Sequence, residues 1–185
     1  MKPPLASTVK SVKSVKSVKD TRGTEINSFY KKQAALNFFL EQLLSSKTGA
    51  SIAKVILFGS LARKEAKPDS DIDIYVVAIN KLEEVAVACD EASLDTTLQF
   101  DEGVEPIVGC IDEFRTCTAS YFFRKVLEDH EEVYTMPNEE ISKGEAANFL
   151  ALATEYLCQS RSNLPLGNYR LLIDGAYNAA ELMGI

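Results

Sequence analysis

The spacing of apolar and polar residues predicts an ordered series of helices and strands in the first half of this chain. Over residues 25–46 the apolar positions recur every three or four residues, the period of an amphipathic helix. Residues 52–58 and 71–79 are short apolar runs typical of buried strands. Between these runs we predict a short helix over residues 61–66, because Pro68 disfavours its continuation.

The same patterns continue in the second half up to residue 135. We predict a helix over residues 81–98, a strand over 104–110, a helix over 121–127 and a strand over 132–135. Pro106 has no backbone N–H group, which restricts the 104–110 strand to an edge of the sheet or an irregular pairing.

The chain divides into three segments that differ in composition and predicted structure. Residues 1–23 are dominated by a repeated Ser/Thr-Val-Lys triplet, whose period fits neither a strand nor an amphipathic helix, so we expect a disordered leader. Residues 24–136 carry the mixed helices and strands, and a Met-Pro-Asn sequence marks their end. Residues 137–185 form a helical tail.

The tail contains two helical patterns. One covers residues 142–158, with Ser142 as its predicted cap and Glu145 three residues later, and the other covers residues 169–183. Two helices bury little apolar surface by themselves, so the tail is expected to pack on the first domain or on another chain.

Composition and charge narrow the class of protein. The 185 residues are 46% hydrophobic and 25% charged, as in ordinary globular proteins, and no apolar run approaches the ~20 residues of a bilayer span. No apolar segment of a secretion signal follows the first lysines, so we expect a cytoplasmic protein.

The net charge is −7, with +5 in residues 1–22 and −12 in the remainder. An acidic body argues against general binding of nucleic acid.

Cysteine and histidine chemistry is not indicated. Cys89, Cys110, Cys117 and Cys158 lack the spacing of zinc ligands, so we expect buried, reduced thiols. The one histidine, His130, lies in an acidic segment that we expect at the surface, so a histidine-based catalytic triad has little support.

The candidate chemistry lies in Gly59-Ser60 and, after ten intervening residues, in Asp71-Ile72-Asp73. Alternate residues of a strand point to the same face, so Asp71 and Asp73 can share a metal ion. A Gly-Ser turn at the start of a helix can present backbone N–H groups to phosphate. Taken singly, an Asp-x-Asp sequence is usually a solvated strand end, Gly59 a turn residue and Ser60 a helix cap. Together they favour nucleotide transfer from a metal-bound triphosphate.

This motif resembles that of the DNA polymerase β-like nucleotidyltransferase superfamily, and within it the minimal nucleotidyltransferases, over about residues 50–135. The resemblance implies an α+β fold with a small mixed β-sheet and helices packed on one side. It also implies Mg²⁺, a nucleoside triphosphate donor and release of pyrophosphate.

The resemblance also assigns residues. Asp71 and Asp73 would ligate the metal, Gly59 and Ser60 would contact the triphosphate, and Arg63 would add positive charge near the phosphates.

The family's third carboxylate lies on a following strand. The nearest match is Val104-Glu105-Pro106-Ile107, which makes Glu105 the candidate. Glutamate is one methylene longer than aspartate, and Pro106 perturbs the strand. If Glu105 faces away from the motif, the site would bind nucleotide but transfer it slowly.

The second tail helix, over residues 169–182, is similar to a helix of HEPN domains, and the preceding helix fits their opening. The Arg-to-His ribonuclease motif of active HEPN domains is absent, so ribonuclease activity is not expected. The tail therefore resembles an incomplete HEPN unit, which a truncation, a split gene or a partner's helices would explain.

The resemblance supports one leading hypothesis: a Mg²⁺-dependent enzyme that moves AMP from ATP to a hydroxyl of a protein or small molecule. Where such an enzyme is paired with a HEPN protein, the enzyme would be the antitoxin of that HEPN/nucleotidyltransferase pair. The alternative is a non-catalytic module that binds nucleotide or scaffolds a HEPN partner. The tail helices could also drive self-association, and antibiotic modification is a third possibility that no residue specifies.

Overall fold

A computed structural model describes residues 23–116 and 120–184. Within these residues the chain forms seven α-helices and one four-stranded sheet, so the predicted α+β class is confirmed. A short 3-10 turn at Gly49–Ser51 precedes the sheet. The elements in chain order are α1 (Gly23–Ser45), β1 (Ile52–Leu57), α2 (Gly59–Ala62), β2 (Ile72–Ala78), α3 (Leu82–Phe100), β3 (Val104–Cys110), α4 (Ile111–Thr116), α5 (Tyr121–Glu128), β4 (Glu131–Thr135), α6 (Asn138–Asn163) and α7 (Tyr169–Met183).

The sheet is mixed, in the order β3-β2-β1-β4. Strand β1 runs antiparallel to both β2 and β4, whereas β2 and β3 are parallel. A parallel pair needs a crossover connection, which α3 supplies. Strand β3 lies at an edge, as Pro106 predicted, because an edge strand tolerates the missing backbone donor.

The core is built on the two central strands, which are buried along almost their whole length. Helix α1 contributes fully buried Leu36, Phe39 and Leu43, and it packs against α3. The predicted helix α5 and the additional helix α4 carry the rings Phe123 and Phe114, which contact Tyr75 of β2. Both faces of the central strands are therefore covered.

The described residues form two compact units, one extending to Pro137 and the other beginning at Asn138. The first contains the sheet and α1–α5. In the second, α6 and α7 pack against each other, and Ser160 Oγ donates a hydrogen bond to the carbonyl of Leu172. Gly175 permits this close approach, since a Cβ atom there would lie 3.1 Å from Ser160 Cβ. Within the described ranges, no helix has the length and hydropathy that a membrane span requires.

Two helix predictions were wrong, and one helix was not predicted. The helix expected over residues 61–66 is a single turn, Gly59–Ala62, because Lys64 adopts a left-handed backbone (φ 61°) that ends it. Helix α6 begins at Asn138, so Ser142 is inside the helix and is not its cap. Helix α4 was missed because six residues are too few to show a period.

The cysteine prediction was correct at one position and wrong at another. Cys89 is buried, and burial followed by the charge of Asp90 raises the pKa of its thiol to about 12. Cys158 is exposed on α6, and Cys110 is half-buried. Cys117 lies outside the described residues, as do residues 1–22 of the predicted leader.

Candidate active site

Three carboxylates lie at the start of the parallel strand pair. Asp73 of β2 is paired in register with Glu105 of β3. Paired neighbours in a parallel ladder direct their side chains to the same face of the sheet. Asp71 directly precedes β2, two residues before Asp73, so the strand alternation places it on that face as well. Glu105 therefore does not face away from the motif.

The electrostatics of Asp73 support this arrangement. The pKa of its carboxyl is raised, first by partial burial and then by the negative charges of Glu105 and Asp71. Arg63 acts in the opposite direction and lowers it. Glu105, Asp71 and the guanidinium of Arg63 are thus close enough to act on Asp73, and the repulsion of Asp73 by the two other acids favours a bound cation.

Two glycines allow the backbone to approach these acids. Gly59 has a left-handed backbone (φ 73°), and a Cβ atom there would lie 2.0 Å from Asp73 Oδ2. At Gly103 a Cβ atom would lie 2.3 Å from Asp71 Oδ1. Position 59 therefore requires glycine, whereas at Gly103 the Asp71 carboxylate would have to shift to admit a Cβ atom. The sequence indicated Gly59, but Gly103 was interpreted only as part of a turn, although it directly precedes β3.

The phosphate-binding candidates follow Gly59. Ser60 lies in α2, and the single turn of this helix provides too few aligned peptide dipoles for a strong macrodipole. Any anion at this turn would depend on its individual backbone N–H groups. Arg63, the residue after α2, is exposed, and its Nε lies 3.0 Å from Glu65 Oε2.

The donor set fits the chemistry of Mg²⁺, which prefers carboxylate oxygens. Within residues 23–116 and 120–184, however, no three His, Cys, Asp or Glu side chains are arranged to hold a metal ion. The assignment of Asp71, Asp73 and Glu105 as metal ligands stays a prediction.

Sequence reasoning missed a buried lysine beside the site. Lys32 of α1 is only 1% exposed, and its ammonium group pairs with the buried Glu102 carboxylate. The signal was available, because Lys32 lies three residues after Phe29 and four before Leu36, on the apolar face of the helix. Its partner is 70 residues away, and no local pattern identifies it.

Comparison with known proteins was made by sequence and by structure. Residues 39–134, which are more than half of the chain, match the family described as the nucleotidyltransferase domain. No curated protein matches the chain.

Three solved structures illustrate the structural likeness. One is a nucleotidyltransferase from Sulfolobus solfataricus, with 23% identity over 60% of this chain and 87% of that chain, at a TM-score of 0.39. The second is a chain of a toxin–antitoxin structure with AMP-PNP, with 17% identity over 69% and 94%, at a TM-score of 0.40. The third is a chain of a tri-AMPylated Shewanella oneidensis HEPN toxin in complex with its MNT antitoxin, with 14% identity over 75% and 96%, at a TM-score of 0.36.

Proposed function

Because the chain belongs to the nucleotidyltransferase domain family, we propose that it uses Mg²⁺ to transfer AMP from ATP to a hydroxyl group of a protein or small molecule. One observation carries the proposal. It is the register pairing of Asp73 with Glu105, which supports Glu105 as the third carboxylate because paired residues share a face of the sheet. The close approach of Gly59 to Asp73 then sets the proposed phosphate-binding turn beside these acids.

The three acids would share the metal. Asp71, Asp73 and Glu105 would ligate Mg²⁺ through carboxylate oxygens. Once bound, Mg²⁺ would neutralise phosphate charge and polarise the α-phosphate of ATP.

The remaining steps are assigned to the chain's own groups. Gly59 and Ser60 would orient the triphosphate through backbone N–H groups, and Arg63 would balance its negative charge. Glu105, whose side chain is exposed, would take the proton of the acceptor hydroxyl. The acceptor oxygen would bond to the α-phosphorus while the bond to the bridging oxygen breaks. Pyrophosphate would then leave with that electron pair.

Labelled transfer tests this proposal directly. The protein is incubated with Mg²⁺ and ATP labelled at the α-phosphate, together with candidate protein and small-molecule acceptors. Asp71→Ala and Asp73→Ala are each expected to reduce label transfer by at least ~10³-fold, since either change removes a metal ligand. Glu105→Gln should lower it by ~10²-fold, the usual size of a general-base effect.

Asp95→Asn is the matched control, since Asp95 is an exposed acid of α3 that is not part of the motif, and it should transfer at the wild-type rate. Unchanged transfer in the Asp71 and Asp73 variants would disprove the assignment. Unchanged transfer in Glu105→Gln alone would remove Glu105 from the site.

The partner we propose is a HEPN-domain protein, so that this chain acts as the antitoxin of the pair and its acceptor is a hydroxyl of the toxin. The support is the apolar surface of the second unit. Helices α6 and α7 expose several large apolar side chains: Phe149, Leu150, Leu152, Leu171, Ile173 and Tyr177. Exposed apolar surface of this kind marks an interaction site.

The same surface favours one alternative, a module that binds the HEPN partner without transferring nucleotide. The two functions differ in their dependence on the acids. A scaffold would form the complex with equal affinity with and without ATP and after Asp73→Asn, and the wild-type protein would transfer no label. Transfer of label to the partner would exclude the scaffold.

A further inference from the structure

Lys32 is a buried cation at the junction of three separate segments. Its ammonium group donates to the carbonyl of Pro68 at 3.2 Å, to the carbonyl of Ser70 and to Glu102 Oε2. An ammonium group has three N–H donors, so its hydrogen-bonding capacity is fully used. Lys32 thereby joins α1 to the loop before β2 and to the turn before β3.

Two of these three contacts, with Ser70 and Glu102, lie close in the chain to the proposed metal ligands. Ser70 directly precedes Asp71 in the chain. Glu102 directly precedes Gly103, whose carbonyl accepts the N–H of Ile72 at 2.9 Å and where a Cβ atom would lie 2.3 Å from Asp71 Oδ1. One buried side chain thus fixes the segment that carries Asp71 relative to the strand that carries Glu105.

Packing alone does not account for this arrangement. Removing two charges from water is costly, and well-packed apolar side chains of similar volume often stabilise a fold equally well. An apolar side chain at position 32 could fill the same space, but it could not bond to two carbonyls and a carboxylate. What Lys32 adds beyond packing is therefore its set of hydrogen bonds, which holds α1, the loop before β2 and the turn before β3 in a fixed arrangement.

We propose that Lys32, acting through Ser70 and Glu102, is a positioning residue that sets the separation between Asp71 and Glu105. The inference rests on the proposed function, because it concerns the metal site of that reaction.

The test uses full-length protein and a variant that removes both charges together, Lys32→Met/Glu102→Met. Replacing the pair avoids leaving one buried charge without its partner. The matched control is Lys31→Met, since Lys31 also contacts Glu102, at 3.1 Å, but its side chain is 44% exposed. Mn²⁺ binding is measured by electron paramagnetic resonance, amide exchange by mass spectrometry and stability by thermal unfolding.

In the double variant we expect amides of residues 67–72 and 101–105 to exchange ~10-fold faster, while those of β1 keep their protection. Mn²⁺ should bind ~10–100-fold more weakly, as when an outer-shell partner of a metal ligand is lost. The thermal midpoint should stay near that of the wild type. Lys31→Met should match the wild type in all three measurements.

The outcomes separate this inference from the proposed function. Wild-type affinity for Mn²⁺ in the double variant, or unchanged exchange in both segments, would overturn the positioning role. Weaker Mn²⁺ binding that merely follows a large loss of thermal stability would overturn it too. If the wild-type protein itself binds no Mn²⁺, the proposed function fails, and the positioning role fails with it.

Discussion

At the scale of single residues, the negative charge of Asp73 lowers the stability of the folded protein. Its pKa is raised by burial, by Glu105 and by Asp71, so the folded state binds a proton more tightly than the unfolded chain does. The free energy of unfolding therefore falls as pH rises through the raised pKa. Asp73→Asn keeps the shape and removes the charge. We expect it to increase the free energy of unfolding at pH 7 by about 0.5 kcal/mol, measured by urea denaturation.

The pH dependence of the free energy of unfolding provides a check on this expected increase. The difference between Asp73→Asn and wild type should shrink as pH falls through the raised pKa and vanish below the ordinary aspartate pKa of 3.8, because the wild-type carboxyl is then protonated in both states. Asp95→Asn, on the exposed side of α3, should not change stability. A variant at Asp73 that is less stable than wild type at pH 7 would contradict the argument.

Gly59 illustrates a second effect at this scale, a backbone that leaves no room for a side chain. Gly59→Ala would strain the left-handed backbone and place a methyl group on the Asp73 carboxylate. We expect a loss of ~1–3 kcal/mol in unfolding free energy and a large loss of ATP binding, measured by denaturation and calorimetry.

Gly167→Ala separates the two contributions to that effect. Gly167 has a similar backbone angle (φ 72°), but no atom lies within 4 Å of the Cβ position. It should therefore lose only about 1 kcal/mol, the strain of the backbone, and keep ATP binding. Equal ATP binding in wild type and Gly59→Ala would show that the turn does not contact the nucleotide.

At the scale of elements, the sequence predicts the helices and strands whose bounds depend on a local pattern of apolar and turn residues. The strand over Val104–Cys110 and the helix over Tyr169–Met183 have the predicted bounds, because each has a clear apolar period or clear flanking turn residues. The single turn α2 was placed wrongly because the left-handed conformation of Lys64 has no signal in a lysine side chain.

Long-range pairing limits what the sequence can say about the site. The Asp-x-Asp motif and Gly59 could be recognised because they are close together in the chain. Whether Glu105 joins them depends on the register of β3 against β2, which is fixed by packing across the sheet. A slip of one residue would turn Glu105 to the opposite face. The Lys32–Glu102 pair was missed for the same reason, as each residue looks ordinary in its own segment.

At the scale of the whole molecule, the proposed chemistry and the exposed apolar side chains of α6 and α7 belong to different units. Lys32, Gly59, Asp71, Asp73 and Glu105 all lie in the unit that ends at Pro137. The sheet and its buried side chains lie there too, which is the usual sign of an autonomous domain. The division predicts that binding of the metal and association with other chains can be separated.

A chain that ends at Pro137 tests this separation. It should unfold cooperatively and bind Mn²⁺ within about twofold of the full-length affinity, because every proposed ligand is retained. The full-length protein should self-associate in sedimentation velocity when its partner is absent, because α6 and α7 expose Leu150, Leu171 and Ile173. The shortened chain should sediment as a monomer. If Mn²⁺ binding is lost with the tail, or if association persists without it, the two functions share one structural unit and the division at Pro137 is not functional.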